Sequence, residues 1–247
     1  MRNRFMGSIV AVAAGFAFSA VILAQNARQP ESARAPAASN ARDLSGVWSV
    51  ERSDPQMLLT KDPLPMQPWA EEKYNYNKDP NNPNARGRNE LNPDFRCFPR
   101  GPTAAWQGLE HPFEIIQSPR LLHIIFEWGN EIRRIWTDGR EHPEEFPHTW
   151  YGHSIGKWDG DTLVIDTIGI NEHTWLDRAG HVHSDALHLV ERLRRMDANK
   201  LVLDITVDDP KAYTRPFTAR RNFSRSRYEL EEYVLCEDLL LHGKLVP

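Results

Sequence analysis

The chain has 247 residues, 34 acidic against 30 basic side chains, a formal net charge of −4 and only two cysteines. A mildly acidic balance argues against a protein that holds nucleic acid on a basic surface, because neutralising phosphates needs clustered Lys and Arg. The length suits one domain with an ample core once its non-globular ends are set aside.

Arg2 and Arg4 precede an uncharged apolar stretch, Phe5 to Ala24, that ends Val21-Ile22-Leu23-Ala24. This is the layout of a secretory signal cleaved after Ala24, and it predicts a periplasmic or secreted protein with no stable membrane span after processing. An uncleaved anchor is the alternative, since the run approaches the ~20 residues that cross a bilayer. Ser8, Gly15 and Ser19 count against that alternative. Loss of residues 1–24 removes two arginines and no acid, so the charge falls from −4 to −6. Residues 25–42 are Ala, Pro, Ser, Arg and Asn with almost nothing to bury, which reads as a disordered linker. A single domain is expected over 43–247.

Ser45-Gly46-Val47-Trp48-Ser49-Val50 reads as a first strand. The stretch 52–112 holds ten prolines and an Asn-Pro-rich patch, so it forms neither a central strand nor a long helix. It is expected to be an irregular arm or lid, with one short helix over Pro68 to Asn77. Export would place Cys97 and Cys236 in an oxidising compartment, where a disulfide joining arm to chain end is expected; two buried thiols are the alternative.

Beyond Pro112 the β pattern is dense. Strands are expected over 113–118, 121–128, 131–137, 150–158, 161–169, 186–196, 201–207, 217–223 and 228–235. Short turns at Gly129-Asn130, Asp159-Gly160 and Asp197-Ala198-Asn199 join several of them. Sequential strands without intervening amphipathic helices predict an all-β antiparallel meander closing into a lipocalin-like β-barrel, with a two-sheet sandwich as the alternative. The arginine pairs Arg133-Arg134, Arg194-Arg195 and Arg220-Arg221 read as solvated strand faces.

The opening Ser45-Gly46-Val47-Trp48 resembles the Gly-x-Trp start of lipocalin-type barrels. The segments RRIWTDGR (133–140), GHSIGKWDGDTLVIDT (152–167), SDALHLVERLRR (184–195), DDPKAYTRPF (208–217) and EEYVLCED (231–238) resemble an uncharacterised family of exported bacterial proteins. That resemblance spans most of the chain after residue 43. It implies export and no particular activity.

With Asp159-Gly160 as the hairpin loop, paired positions sum to 319, which sets His153 opposite Asp166 on one sheet face. A carboxylate beside an imidazole fixes its tautomer and raises its basicity, the arrangement of a general base. A solvent-facing ion pair is the structural alternative. Gly152-His153-Ser154-Ile155-Gly156 matches G-x-S-x-G, but no helix follows it as a nucleophile elbow requires. His181 and His183 share a face if extended, so they form a candidate site for zinc or iron, with Glu191 or His153 completing it. Glu191 sits on the apolar face of its strand, as an acid or as one half of an internal ion pair with an arginine. Tyr213 adds a phenol at the barrel rim. Tyr151, Trp136, Trp150 and Trp175 are candidate ligand-binding rings, with core packing as the plainer reading.

The residues therefore predict an exported barrel enzyme, free of cofactors, that performs lyase, isomerase or hydrolase chemistry on a small organic or sugar-derived ligand. His153, Asp166, His183, Glu191 and Tyr213 are its candidate catalytic groups. A lipocalin-like carrier of an apolar ligand and a His-ligated metalloenzyme are the alternatives.

Overall fold

The computed structural model describes residues 40–51, 58–79, 92, 97–107 and 111–232. The expected signal (1–24), nearly all of the linker, and Cys236 lie outside the described residues. Of the strand expected at 228–235, residues 228–232 are described and form no strand, because the barrel already closes with Arg225 of the preceding strand against Trp48. The strands are β1 (Gly46–Val50), β2 (Phe113–Gln117), β3 (Leu121–Phe126), β4 (Glu131–Trp136), β5 (His153–Asp159), β6 (Thr162–Ile168), β7 (His188–Asp197), β8 (Lys200–Asp208) and β9 (Phe217–Arg225). They close in sequence order into one barrel, sealed by Trp48, Ser49 and Val50 of β1 against Arg225, Ser224 and Phe223 of β9. Two helices are described, α1 (Pro68–Lys78) and α2 (Gly101–Ala105). Pro at the first turn of α1 costs no hydrogen bond, because that N–H has no helical partner.

The meander departs from expectation at one step. β4 and β5 pair in parallel, with Ile135 opposite Ser154 and Trp136 opposite Ile155. Residues 137–152 must then return along the barrel wall before β5 begins, since parallel neighbours cannot be joined by a tight turn. The turn between β3 and β4 is also longer than two residues: Phe126 faces Glu131, and a 3-10 turn, Trp128–Asn130, lies between them.

Strict alternation separates lumen from wall. Leu189, Glu191 and Leu193 of β7 and Leu201, Leu203, Ile205 and Val207 of β8 are buried inward. Trp106, at the end of α2, fills the lumen and meets Phe113, Phe126 and Phe223 at ring separations of 5.0, 5.4 and 5.5 Å. Each buried phenylalanine of that cluster stabilises by about 1.5–3 kcal/mol. The same alternation corrects the expected solvated arginine pairs: Arg133 is buried while Arg134 is exposed, and Arg221 is buried while Arg220 is exposed. Adjacent strand residues cannot share one face.

The start of α1 is held to the 209–216 segment, where the Gln67 amide donates to the Ala212 carbonyl at 2.8 Å and the Trp69 indole to the Lys211 carbonyl at 2.7 Å. Among the described residues no helix is long and apolar enough to cross a membrane.

Candidate functional site

The β5–β6 register differs from the expected one. Asp159 faces Thr162 and Ile155 faces Asp166, so His153 lies opposite Ile168. The loop is Gly160-Asp161, with Gly160 at φ 59°, the conformation that a glycine in the first loop position of a hairpin supplies. The slip is two residues along the partner strand, which preserves the face. His153 and Asp166 therefore remain on the same outer wall, two pairs apart with Ser154–Thr167 between them.

His142, from the 137–152 crossover, bridges that gap. Its Nε2 donates to Asp166 Oδ1 at 2.9 Å, and its Nδ1 lies 2.8 Å from His153 Nδ1. His188 Nε2 donates to the other oxygen of Asp166 at 3.0 Å. Because the carboxylate accepts from His142 Nε2, neutral His142 carries its lone pair on Nδ1 and accepts the Nδ1 proton of His153. Nε2 is then the basic nitrogen of His153. Phe146 packs on the His153 ring at 5.6 Å. Burial first, and then the neighbouring His142 and Arg140, which disfavour a further positive charge beside them, push the His153 imidazole below its ordinary pKa.

His153 lines an open cleft of about 980 Å³ with Arg134, Trp136, Trp150, Tyr151 and Ile132 among its walls. The parallel register places Arg134 level with His153, one step before Ile135 and Ser154, on strands ~4.8 Å apart. His123 lies opposite Arg134 on its other side. Arg134 is exposed and has no hydrogen-bond or ion-pair partner among the described residues. His188 lines a second cleft, of about 800 Å³, with Phe146, His148 and Asp185. The hydrogen-bonded chain His153–His142–Asp166–His188 thus runs from one cleft to the other.

The remaining candidates are dispersed. Glu191 is inside the lumen and fully buried; it accepts from the Trp106 indole at 2.8 Å and from Arg133 Nη1 at 3.0 Å, with a second, close contact from Arg133 Nη2 to Oε2. This is the internal ion pair that its apolar face allowed, and the sheet separates it from His153 and Asp166. Ser154 also points inward, bonded to Thr167 Oγ1 at 2.9 Å and reached by Arg133, so G-x-S-x-G here is a strand and not an elbow. Tyr213 is buried and donates to the Val182 carbonyl at 2.7 Å; burial raises its pKa. Tyr151 donates to Glu131, and burial with that carboxylate pushes its phenol well up.

His183 has both ring nitrogens engaged, Nε2 with Thr174 Oγ1 at 2.7 Å and Nδ1 with the Ser184 carbonyl at 2.9 Å; burial lowers its pKa. His181 instead turns to Asp177, 2.7 Å from Nδ1. The two imidazoles do not share one ligand position, because residues 181–184 form no strand and each ring takes its own partner. Among the described residues no group of three or more His, Cys, Asp or Glu side chains is arranged to hold a metal ion. Of the rings, Trp136 and Trp150 line the cleft with Tyr151, whereas Trp175 packs against the core. Arg140 lies over the Trp136 ring at 3.7 Å.

Reading the sequence in order leaves out His142, which only the crossover brings to β5, and Arg134, hidden in an arginine pair. Alternation alone would have set Arg134 and Arg133 on opposite faces. Compared with known family models, curated proteins and solved structures, the chain matches none.

Proposed function

We propose that the chain is an acid–base enzyme that uses His153 as the base in the outer-wall cleft and acts on a small organic anion. The observation that supports this reading is the Asp166–His142–His153 chain, which leaves Nε2 of His153 as an oriented, unprotonated acceptor. Arg134, level with it, supplies a guanidinium for a carboxylate. Trp136, Trp150 and Tyr151 flank the carbon skeleton. In such a step a C–H bond of the substrate breaks, its proton moves to Nε2, and the electron pair delocalises toward the substrate's carboxylate or carbonyl. Return of the proton at another carbon is isomerisation; if the freed pair instead forms a C=C bond and a β-substituent departs with its own bonding pair, the step is a lyase reaction.

The carrier reading draws no support from the lumen, which Trp106 and its neighbours fill. The metal reading draws none from His181 and His183, whose rings are bonded elsewhere. Export, removal of residues 1–24 and a Cys97–Cys236 bridge belong to the same proposal; intact mass with and without reductant and alkylation reports the last two.

Proton abstraction is tested without knowing the product. Wild-type protein is incubated in D₂O with a panel of small carboxylic acids, and loss of C–H signals is followed by NMR. Catalysed exchange of at least one acid is expected, slowed by about 10²–10⁴-fold in His153→Gln, the usual worth of a positioned base. Arg134→Gln is expected to raise KM more than it lowers kcat. Exchange that is as fast in His153→Gln as in wild type removes the reading.

A further inference from the structure

A second site lies where α1 meets the 174–183 segment. Asp177 is 1% exposed and its carboxylate is saturated with donors. Oδ2 accepts from the Leu59 amide at 2.9 Å and from His181 Nδ1 at 2.7 Å, while Oδ1 accepts from the Ala179 amide at 3.0 Å and the His181 amide at 3.3 Å. The proton of neutral His181 is therefore on Nδ1, and Nε2 carries the lone pair. Tyr74 stacks on the ring at 4.0 Å with 9° between planes, fixing its orientation. His181 is 6% exposed, its Nε2 has no hydrogen-bond partner among the described residues, and the residue lines a groove of about 670 Å³. Nε2 is thus an oriented acceptor at the wall of an open groove, placed to take a donor from a ligand.

The groove's charges say which donor. Glu71, Tyr74, Asn75 and Lys78 all line it, and their spacing is that of a single helix face. Glu71 stands one turn before Tyr74, and Lys78 Nζ lies over the Tyr74 ring at 4.4 Å. Asp62 and Lys61 lie in the facing loop. Two carboxylates and two ammonium groups thus bracket a hydrogen-bond acceptor that is itself backed by a buried carboxylate.

We propose that this groove binds a small zwitterion, an amino acid or short peptide. Its ammonium N–H donates to His181 Nε2 beside Glu71, and its carboxylate meets Lys78. None of these residues belongs to the His153 cleft, so the two sites stand or fall separately.

The test uses the full chain with isotope-labelled histidine and follows the His181 ring nitrogens by NMR during titration with glycylglycine. The free protein is expected to show the Nδ1–H tautomer, and glycylglycine to shift Nε2 saturably at millimolar concentration. N-acetylglycylglycine, which lacks the ammonium, and glycylglycine amide, which lacks the carboxylate, are each expected to bind at least several-fold more weakly. The exposed-residue variants Glu71→Gln and Lys78→Gln, which leave the Asp177–His181 bond intact, are expected to weaken binding by about three- to five-fold, the worth of one solvent-screened charge contact. An Nε2–H tautomer, no saturable shift, or capped peptides binding as well as glycylglycine overturns the proposal.

Discussion

His153 illustrates how neighbours, more than identity, set what a side chain does. Its imidazole is pushed below the ordinary 6.5 by burial first, then by His142 and Arg140, so the neutral, proton-accepting form persists into more acidic solution. The acidic limb of kcat/KM for the proposed exchange is expected below pH 6.5, and Arg140→Gln is expected to move it upward; NMR titration of the ring checks the same shift without a substrate. Glu191 shows the opposite case, a charge committed to the fold. Arg133→Met leaves it buried with only the Trp106 indole, which is expected to cost about 3–5 kcal/mol in urea unfolding, while Arg133→Met with Glu191→Leu restores much of that loss. The sequence made Glu191 legible as a misplaced carboxylate and offered an arginine as its partner. It hid which arginine, because Arg133 and Arg134 read as one solvated unit until alternation separates them. His142 was not legible at all, since a loop residue acquires its partner only from the path of the chain.

At the scale of elements, the α1 helix and every expected strand but that at 228–235, which is no strand over its described residues, were readable from period and punctuation, but register was not. Asp159-Gly160-Asp161 permits the loop Asp159-Gly160 or Gly160-Asp161, and both keep the same residues inward. The fold takes the second, a turn with its glycine first: Gly160 has φ 59° while Asp161 keeps a negative φ. Gly160 has open space where a Cβ would stand, so Gly160→Ala carries only the backbone cost of about 1–2 kcal/mol. Gly152, at φ 64°, would set a Cβ 2.4 Å from the Ile168 carbonyl oxygen, at the point where the crossover enters β5. Gly152→Ala is therefore expected to lower Tm well beyond Gly160→Ala and to disturb the His142–His153 contact, visible as altered histidine NMR signals. The parallel β4–β5 step left no trace in composition, because a crossover of loop residues looks like any long loop.

For the whole molecule, acid is the expected weakness. His153 and His183 both have pKa values held below the ordinary 6.5, by burial first in each case. The unfolded chain therefore takes up protons on these groups before the folded one does. Their effect on stability is nil well above pH 6.5 and becomes a loss as the pH falls from there through the two depressed values. Thermal melts between pH 7 and pH 5 check this, and His183→Gln is expected to flatten the decline if the variant folds. The barrel's seam has a further consequence, for the order in which the protein can be made. β1 is the first described strand and pairs on one side with β9, the last described strand, so one edge of β1 must wait until some 170 further residues have followed it. Contacts that close so late in sequence are slow to form, and an unpaired strand edge is an invitation to pair wrongly. A chain interrupted before Phe217 would retain most of its hairpins and still lack a sealed wall, which makes β9 the segment on which escape from aggregation depends during synthesis.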